Sequence, residues 1–320
     1  RPSLRRESVQ DRLVRRRAAG SLRGVMVGGT GVALDEESAA AAAELYVAVE
    51  IDHGARGARS EARVRLASAV ERAWLDEILP GNLATDAVVE FDAARERVVE
   101  RRVTRYLDLA LEEEVALGVA RGVAGPVLAE AALAAPEKAL TIGAPEHAFL
   151  DRVGFVHAWL PDAGVEDPEA LLAGVVRSLC ATRSSFAELR RAGLLAELRR
   201  ALPHAAVGVL EREAPETWQL PSGRAAPVRY RRDRPPAVEA RVQELFGLTQ
   251  TPRLARGRVP LVFEILAPNQ RPVQITEDLA SFWRNGYPEV RKQLRGRYPK
   301  HDWPEDPLTA APTSRAKRRG

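Results

Sequence analysis

Between residues 283 and 303 the chain sets Arg284, Arg291, Lys292, Arg295, Arg297, Lys300 and His301 among four large aromatics, Trp283, Tyr287, Tyr298 and Trp303. Single-stranded nucleic acid is bound by this pair of side-chain types. Cationic groups neutralise phosphates, and aromatic faces stack on bases for roughly 1–3 kcal/mol each. The aromatics have a second use as core or as anchors. "LASFW" reads as the buried side of a short helix, which puts Phe282 and Trp283 in the core. If Pro288 opens a helix, Arg291 and Arg295 fall four apart on one face with Lys292 beside them, and Val290 and Leu294 form the other. Such a ridge can contact phosphate, stand solvated, or pair with acids elsewhere in the chain.

The stretch "GRYPKHDWPEDP" (296–307) can be neither regular helix nor central strand, because Pro299, Pro304 and Pro307 interrupt it. It reads as a rigid strap. Tyr298 and Trp303 are its expected anchors, and the prolines lower the entropy of the unfolded segment. Arg297, Lys300 and His301 are then left to meet a nucleic acid.

No catalytic residue and no metal site is expected. "GGTG" (28–31) lacks the lysine and hydroxyl residue of a phosphate-cradling P-loop, and the acidic run from Asp35 to Glu37 is not preceded by the buried strand of a Walker B motif. The five histidines, His53, His147, His157, His204 and His301, fall in no zinc-binding spacing, and Cys180 is the single cysteine. Ser222 lies in Pro-Ser-Gly turn chemistry, not a nucleophile elbow.

A lone cysteine leaves no intramolecular disulfide, so a reducing cytoplasm is the expected setting. No apolar run approaches the ~20 residues of a membrane span, and the basic start carries no signal-peptide core. The chain opens on Arg1 and its one methionine is Met26, so it is expected to be a piece of something longer. The net charge of +4 hides an asymmetry. Residues 1–24 hold 8 basic and 2 acidic side chains, residues 25–226 hold 21 and 32, and residues 227–300 hold 15 and 7. A basic C-terminal third on an acidic body is the distribution of a protein with one face toward a polyanion.

These residues need elements to position them. Period-2 patterning in "RGVMVGGTGVALD", "AELYVAVEID", "ARVRLASAV" and "AVVEFDAARERVVERRVTRYLDLALEEE" predicts five or six short strands, and an OB-like barrel is the choice over residues 23–115. Residues 1–22 form a separate basic segment. Residues 116–205 turn helical, with Asp167-Pro168-Glu169 a helix start. Residues 206–310 form a small α+β module: "TWQL" and "APVRYRR" as a hairpin, "AVEARVQELFGL" as a helix ending at Gly247, "VPLVFEIL" and "RPVQIT" as strands, and two short helices broken before Pro288. Residues 311–320 are expected to be disordered. The fold class is thus α+β and multidomain.

Gln243-Glu244-Leu245-Phe246-Gly247, Pro268 with Arg271 to Thr276, Asp278-Leu279 with Phe282-Trp283, and Gly296 to Pro307 closely resemble the C-terminal region of bacterial HrpB-type ATP-dependent helicases, relatives of the DEAH-box enzymes. The likeness is concentrated after residue 211 and fits the layout of the whole chain. It implies two RecA-like motor domains elsewhere, with a P-loop, a DEAH box and an arginine-bearing closing motif, none of which is in these 320 residues. ATP and Mg²⁺ would belong to those domains and no cofactor to this chain, which by itself is expected not to hydrolyse ATP. The implied partners are single-stranded RNA or DNA and the RecA-like domains, with no membrane. The competing expectation is a purely structural or protein-interaction module.

Overall fold

The computed structural model describes residues 9–52, 61–232 and 234–314. Residues 1–8, His53 and the basic end at 315–320 lie outside the described residues. The chain divides into two compact units, residues 1–128 with 183–185, and residues 129–182 with 186–320.

In the first unit, β1 (Leu13–Arg16), β2 (Arg23–Met26), β3 (Gly31–Leu34), β4 (Leu45–Asp52) and β5 (Ala62–Val70) close into a barrel in the order β1-β2-β3-β5-β4. All neighbours run antiparallel except β3 and β5, which pair in parallel from Val32↔Ala62 to Leu34↔Val64. Alternate side chains fill it: Val14, Met26, Val32, Leu34, Tyr46, Ala48 and Val64 form one buried cluster. The turn from β2 to β3 runs through Gly28 and Gly29 at φ 83° and 78°, a region that side chains rarely enter.

The barrel begins inside the segment expected to stand apart. Leu13 and Val14 are 2% and 0% exposed, and the arginines around this short apolar pair concealed it in the sequence. The barrel also ends earlier, at Val70. After helix α1 (Arg72–Ile78), β6 (Leu83–Asp92), β7 (Arg97–Tyr106) and β8 (Leu109–Ala116) make their own antiparallel sheet. Leu13, Leu45, Leu75, Tyr106, Leu109 and Leu111 form a second apolar cluster that joins barrel, α1 and sheet.

Gly24 marks the tightest approach in the barrel. A Cβ there would stand 2.5 Å from Val14 Cγ1, 3.0 Å from the Arg15 carbonyl oxygen and 3.1 Å from the Tyr46 hydroxyl. Gly24→Ala is therefore expected to lower stability by about 1–3 kcal/mol, since two of those three neighbours are backbone or a branched core side chain. Tyr46→Phe should be neutral or slightly stabilising, because its buried hydroxyl meets no hydrogen-bond partner among the described residues. Thermal denaturation of the two variants checks the pair.

Helix α2 (Arg121–Ala134) leads to the second unit, where α3 (Pro136–Ala139), α4 (Ala144–Trp159), α5 (Pro168–Cys180), α6 (Phe186–Arg190), α7 (Leu194–Ala201) and α8 (His204–Glu213) follow. Asp167 caps α5 by accepting the Glu169 N–H at 2.8 Å, with Pro168 in the first turn. Helix runs on through α8, past the expected end at 205. A mixed sheet comes next: β9 (Thr217–Gln219), β10 (Ala225–Arg231), β11 (Arg234–Arg241), the small pair β12 (Arg253–Leu254) and β13 (Val259–Pro260), then β14 (Val262–Leu266) and β15 (Pro272–Thr276). The main sheet is ordered β15-β14-β11-β10-β9, with β11 and β14 parallel. Helix α4 packs on it, bringing the Phe155 and Tyr230 rings to 5.1 Å.

Two expectations are corrected in this unit. Much of "AVEARVQELFGL" is strand β11 and a 3₁₀ turn at Val242–Glu244. Pro236, Val238, Ala240 and Val242 are buried at period two, and pairing on both sides overrides helix propensity. The chain is also not broken before Pro288. It runs helically through α9 (Leu279–Ser281), a π turn at Phe282–Gly286 and α10 (Tyr287–Leu294). The Tyr287 N–H reaches back to the Phe282 carbonyl, and the widened turn fits the missing N–H of Pro288 at the start of α10.

Candidate nucleic-acid interface

Three of the expected contact residues turn inward. Trp283 and Tyr287 are 5% and 1% exposed, and with Phe246 and Phe282 they make an aromatic cluster with ring centroids 4.9 to 6.3 Å apart. The Trp283 Nε1–H donates to the Leu248 carbonyl at 2.8 Å. The Tyr287 hydroxyl donates to the Pro304 carbonyl at 2.8 Å, and burial pushes its pKa up to about 12. Arg291 is the third. Its Nε donates to the Trp303 carbonyl at 2.9 Å, and its Nη2 lies 3.3 Å from Glu305 Oε1.

Those contacts fasten the C-terminal strap to α10 and to the turn after β11. Gln243 Nε2 donates to the Asp302 carbonyl at 3.2 Å, and the Gly247 N–H to the Pro307 carbonyl at 3.1 Å. The Thr313 N–H donates to the Gln243 carbonyl at 2.9 Å, and Arg241 Nη1 to the Ser314 carbonyl at 3.2 Å. Residues 311–314 thus belong to the strap and are not part of a disordered tail. Trp303 secures the bend locally by donating to the Tyr298 carbonyl at 3.0 Å. The body receives the strap mostly through strap carbonyls, a pattern that reading side chains for anchors could not reveal.

What remains outward is a set of cations. Arg284, Lys292, Arg295 and Lys300 are exposed, and none has an acidic partner among the described residues. Arg297 is exposed as well, with its guanidinium carbon 5.7 Å from the Tyr298 ring centroid. His301 faces that ring edge-on at 6.3 Å, and burial first, then the nearby Arg241, holds its pKa below the usual imidazole range. The site offers charge for a phosphate backbone and a half-buried Tyr298 for stacking. No group of three or more metal-ligating side chains is assembled among the described residues, and no helix is long and apolar enough to cross a membrane.

The chain thus combines a closed barrel, a helical stretch and a strapped α+β module. The comparisons give its class. Residues 176–307 match the family described as ATP-dependent helicase C-terminal. More particularly, the chain aligns with the C-terminal region of HrpB-type ATP-dependent helicases. It is 33% identical over 322 aligned positions to the ATP-dependent RNA helicase HrpB of Escherichia coli (strain K12), which covers 96% of this chain and 38% of that protein. A crystal structure of the E. coli DExH-box NTPase HrpB superposes with a TM-score of 0.59 at 31% identity, over 96% of this chain and 38% of the other. A crystal structure of the E. coli DEAH/RHA helicase HrpB gives 0.51 at 28% identity, over 92% and 37%. The chain spans about two fifths of the length of these relatives.

Proposed function

We propose that this chain is the accessory region of an ATP-dependent RNA helicase, holding single-stranded nucleic acid and scaffolding RecA-like motor domains, with ATP and Mg²⁺ handled by those domains alone. The observation that carries the nucleic-acid part is the exposed, acid-free set Arg284, Lys292, Arg295 and Lys300 displayed on and just after a fixed helix. The barrel supports it. Its order, β1-β2-β3-β5-β4 with parallel β3 and β5, agrees with a five-stranded barrel of the OB type, whose faces and loops commonly bind oligonucleotides. The scaffolding part has its own observation: Trp74 and Ile78 on α1 are 45% and 70% exposed, apolar area suited to docking against another protein surface.

Salt dependence tests the proposal. Binding to a single strand should fall with a log–log slope of about −0.7 per phosphate contact, and Lys292→Glu with Arg295→Glu should flatten that slope as well as lower affinity. Arg291→Gln should behave differently, loosening the strap to limited proteolysis while leaving the slope unchanged, because its guanidinium is committed to Trp303 and Glu305. An absence of binding at low salt would refute strand holding and leave the scaffolding role.

A further inference from the structure

A cleft of about 470 Å³ opens in the second unit where α4, α7 and α8 meet the start of β9. Its lining combines apolar side chains, Phe149, Leu202, Val207 and Leu210, with the charged Arg152, Arg199, Glu211 and Glu216. Two guanidiniums converge there on one oxygen. Glu216 Oε1 accepts from Arg152 Nη1 at 2.7 Å and from Arg199 Nη2 at 3.1 Å. Both cations are held by other contacts as well. Arg152, only 7% exposed, donates from Nε to the Ala214 carbonyl at 2.8 Å and from Nη2 to the Leu210 carbonyl at 3.5 Å, which ties it to the end of α8, while the Arg199 guanidinium lies 5.9 Å from the Phe149 ring centroid. Burial lowers the Arg152 pKa, and Glu216 is foremost among the groups that oppose the shift.

The carboxylate between them is the least fixed member of the group. The Glu216 backbone is held by the Val228 N–H at 3.0 Å, but its side chain is 59% exposed and meets only the two arginines among the described residues. An exposed carboxylate gains little from an ion pair, whereas a buried guanidinium must keep a partner. Glu216 can therefore turn into water when another oxyanion takes its place on Arg152. With Glu216 turned out, two cations face Glu211, a balance that accepts one negative charge. A guanidinium fork matches a carboxylate, and the apolar lining rewards a hydrocarbon carried in beside it. We propose that this cleft binds a small organic acid, its carboxylate replacing that of Glu216 between Arg152 and Arg199 and its apolar chain or ring lying against Phe149, Leu202 and Leu210. The inference does not rest on the proposed strand holding, because none of these residues is among the C-terminal cations.

The test is titration of the full chain with straight-chain carboxylates from acetate to hexanoate at constant ionic strength, followed by the side-chain resonances of Arg152, Arg199 and Phe149. Hexanoate should shift all three and saturate, and each methylene that enters the cleft should tighten binding about fourfold. Glu216→Ala removes the internal competitor and should tighten hexanoate by about tenfold. Hexanoate should also raise the melting temperature of that variant more than that of the wild type, because it returns a partner to Arg152. Arg199→Gln should weaken binding several-fold, and hexylamine should shift nothing. The absence of a saturable hexanoate response in both wild type and Glu216→Ala would overturn the proposal, as would equal affinity in the two or an affinity that does not grow with chain length. Inorganic phosphate that binds more tightly than hexanoate would overturn the carboxylate assignment. If Glu216→Ala does not fold, the chain-length series on the wild type still decides. Lys292→Glu with Arg295→Glu should leave hexanoate binding untouched, so an oligonucleotide that binds a chain deaf to hexanoate would sink this site while sparing the proposed function.

Discussion

Trp283→Ala is expected to destabilise the second unit by about 3–5 kcal/mol, the range for emptying a large buried aromatic site. Its effect on nucleic-acid binding should be no greater than the loss of folded protein. The ring is 5% exposed, lies 4.9 Å from Phe282, 5.6 Å from Tyr287 and 6.3 Å from Phe246, and carries a buried N–H that finds its partner in the Leu248 carbonyl. Truncation opens a void and strands that carbonyl. Tyr287 would lose a ring neighbour while its hydroxyl still holds Pro304, so the strap should loosen along with the core. Urea denaturation gives the stability term, and oligonucleotide titration well below the transition gives the binding term. A binding defect in fully folded protein would return Trp283 to the role of a stacking platform.

The contrast between Trp283 and Arg295 shows what could be read from sequence. Apolar spacing in "LASFW" placed Phe282 and Trp283 in the core, and both are buried. Period-2 runs marked every barrel strand except β1, whose two apolar residues are embedded among arginines. The helix start at Asp167 was legible because a cap is local chemistry. Strand β11 was not, since its Ala, Glu and Arg favour helix in isolation and only its pairing with β10 and β14 decides otherwise. The candidate site divides along the same line. Residue type identified Arg291 and Arg295 equally, and nothing four residues apart on a helix separates them. The returning strap does so, because it delivers the Trp303 carbonyl and Glu305 to one and nothing to the other.

The strap's own foundation is a buried ion pair, and breaking it from one side is the second large effect. Glu244 is 3% exposed at its side chain, yet both oxygens are engaged: Arg224 Nε donates to Oε1 at 2.7 Å, Arg224 Nη2 to Oε2 at 3.0 Å, and the Arg241 N–H to Oε2 at 2.8 Å. Arg224→Met would remove both guanidinium bonds and the further one to the Glu239 carbonyl, leaving a carboxylate held by one amide. Removing one partner of a buried pair costs about 3–5 kcal/mol. Arg224 is 39% exposed, which puts the expectation near the lower end of that range. The consequence travels a short distance, because the turn that Glu244 caps includes Arg241 and Gln243, which hold Ser314, Thr313 and Asp302 of the strap. Limited proteolysis should therefore release the C-terminus at temperatures where the rest of the unit stays folded. Adding Glu244→Gln to Arg224→Met separates the causes. Recovery of most of the lost stability identifies the orphaned charge as the source, whereas no recovery would mean that the packing of the Arg224 stem, and not its charge, secures the turn beneath the strap.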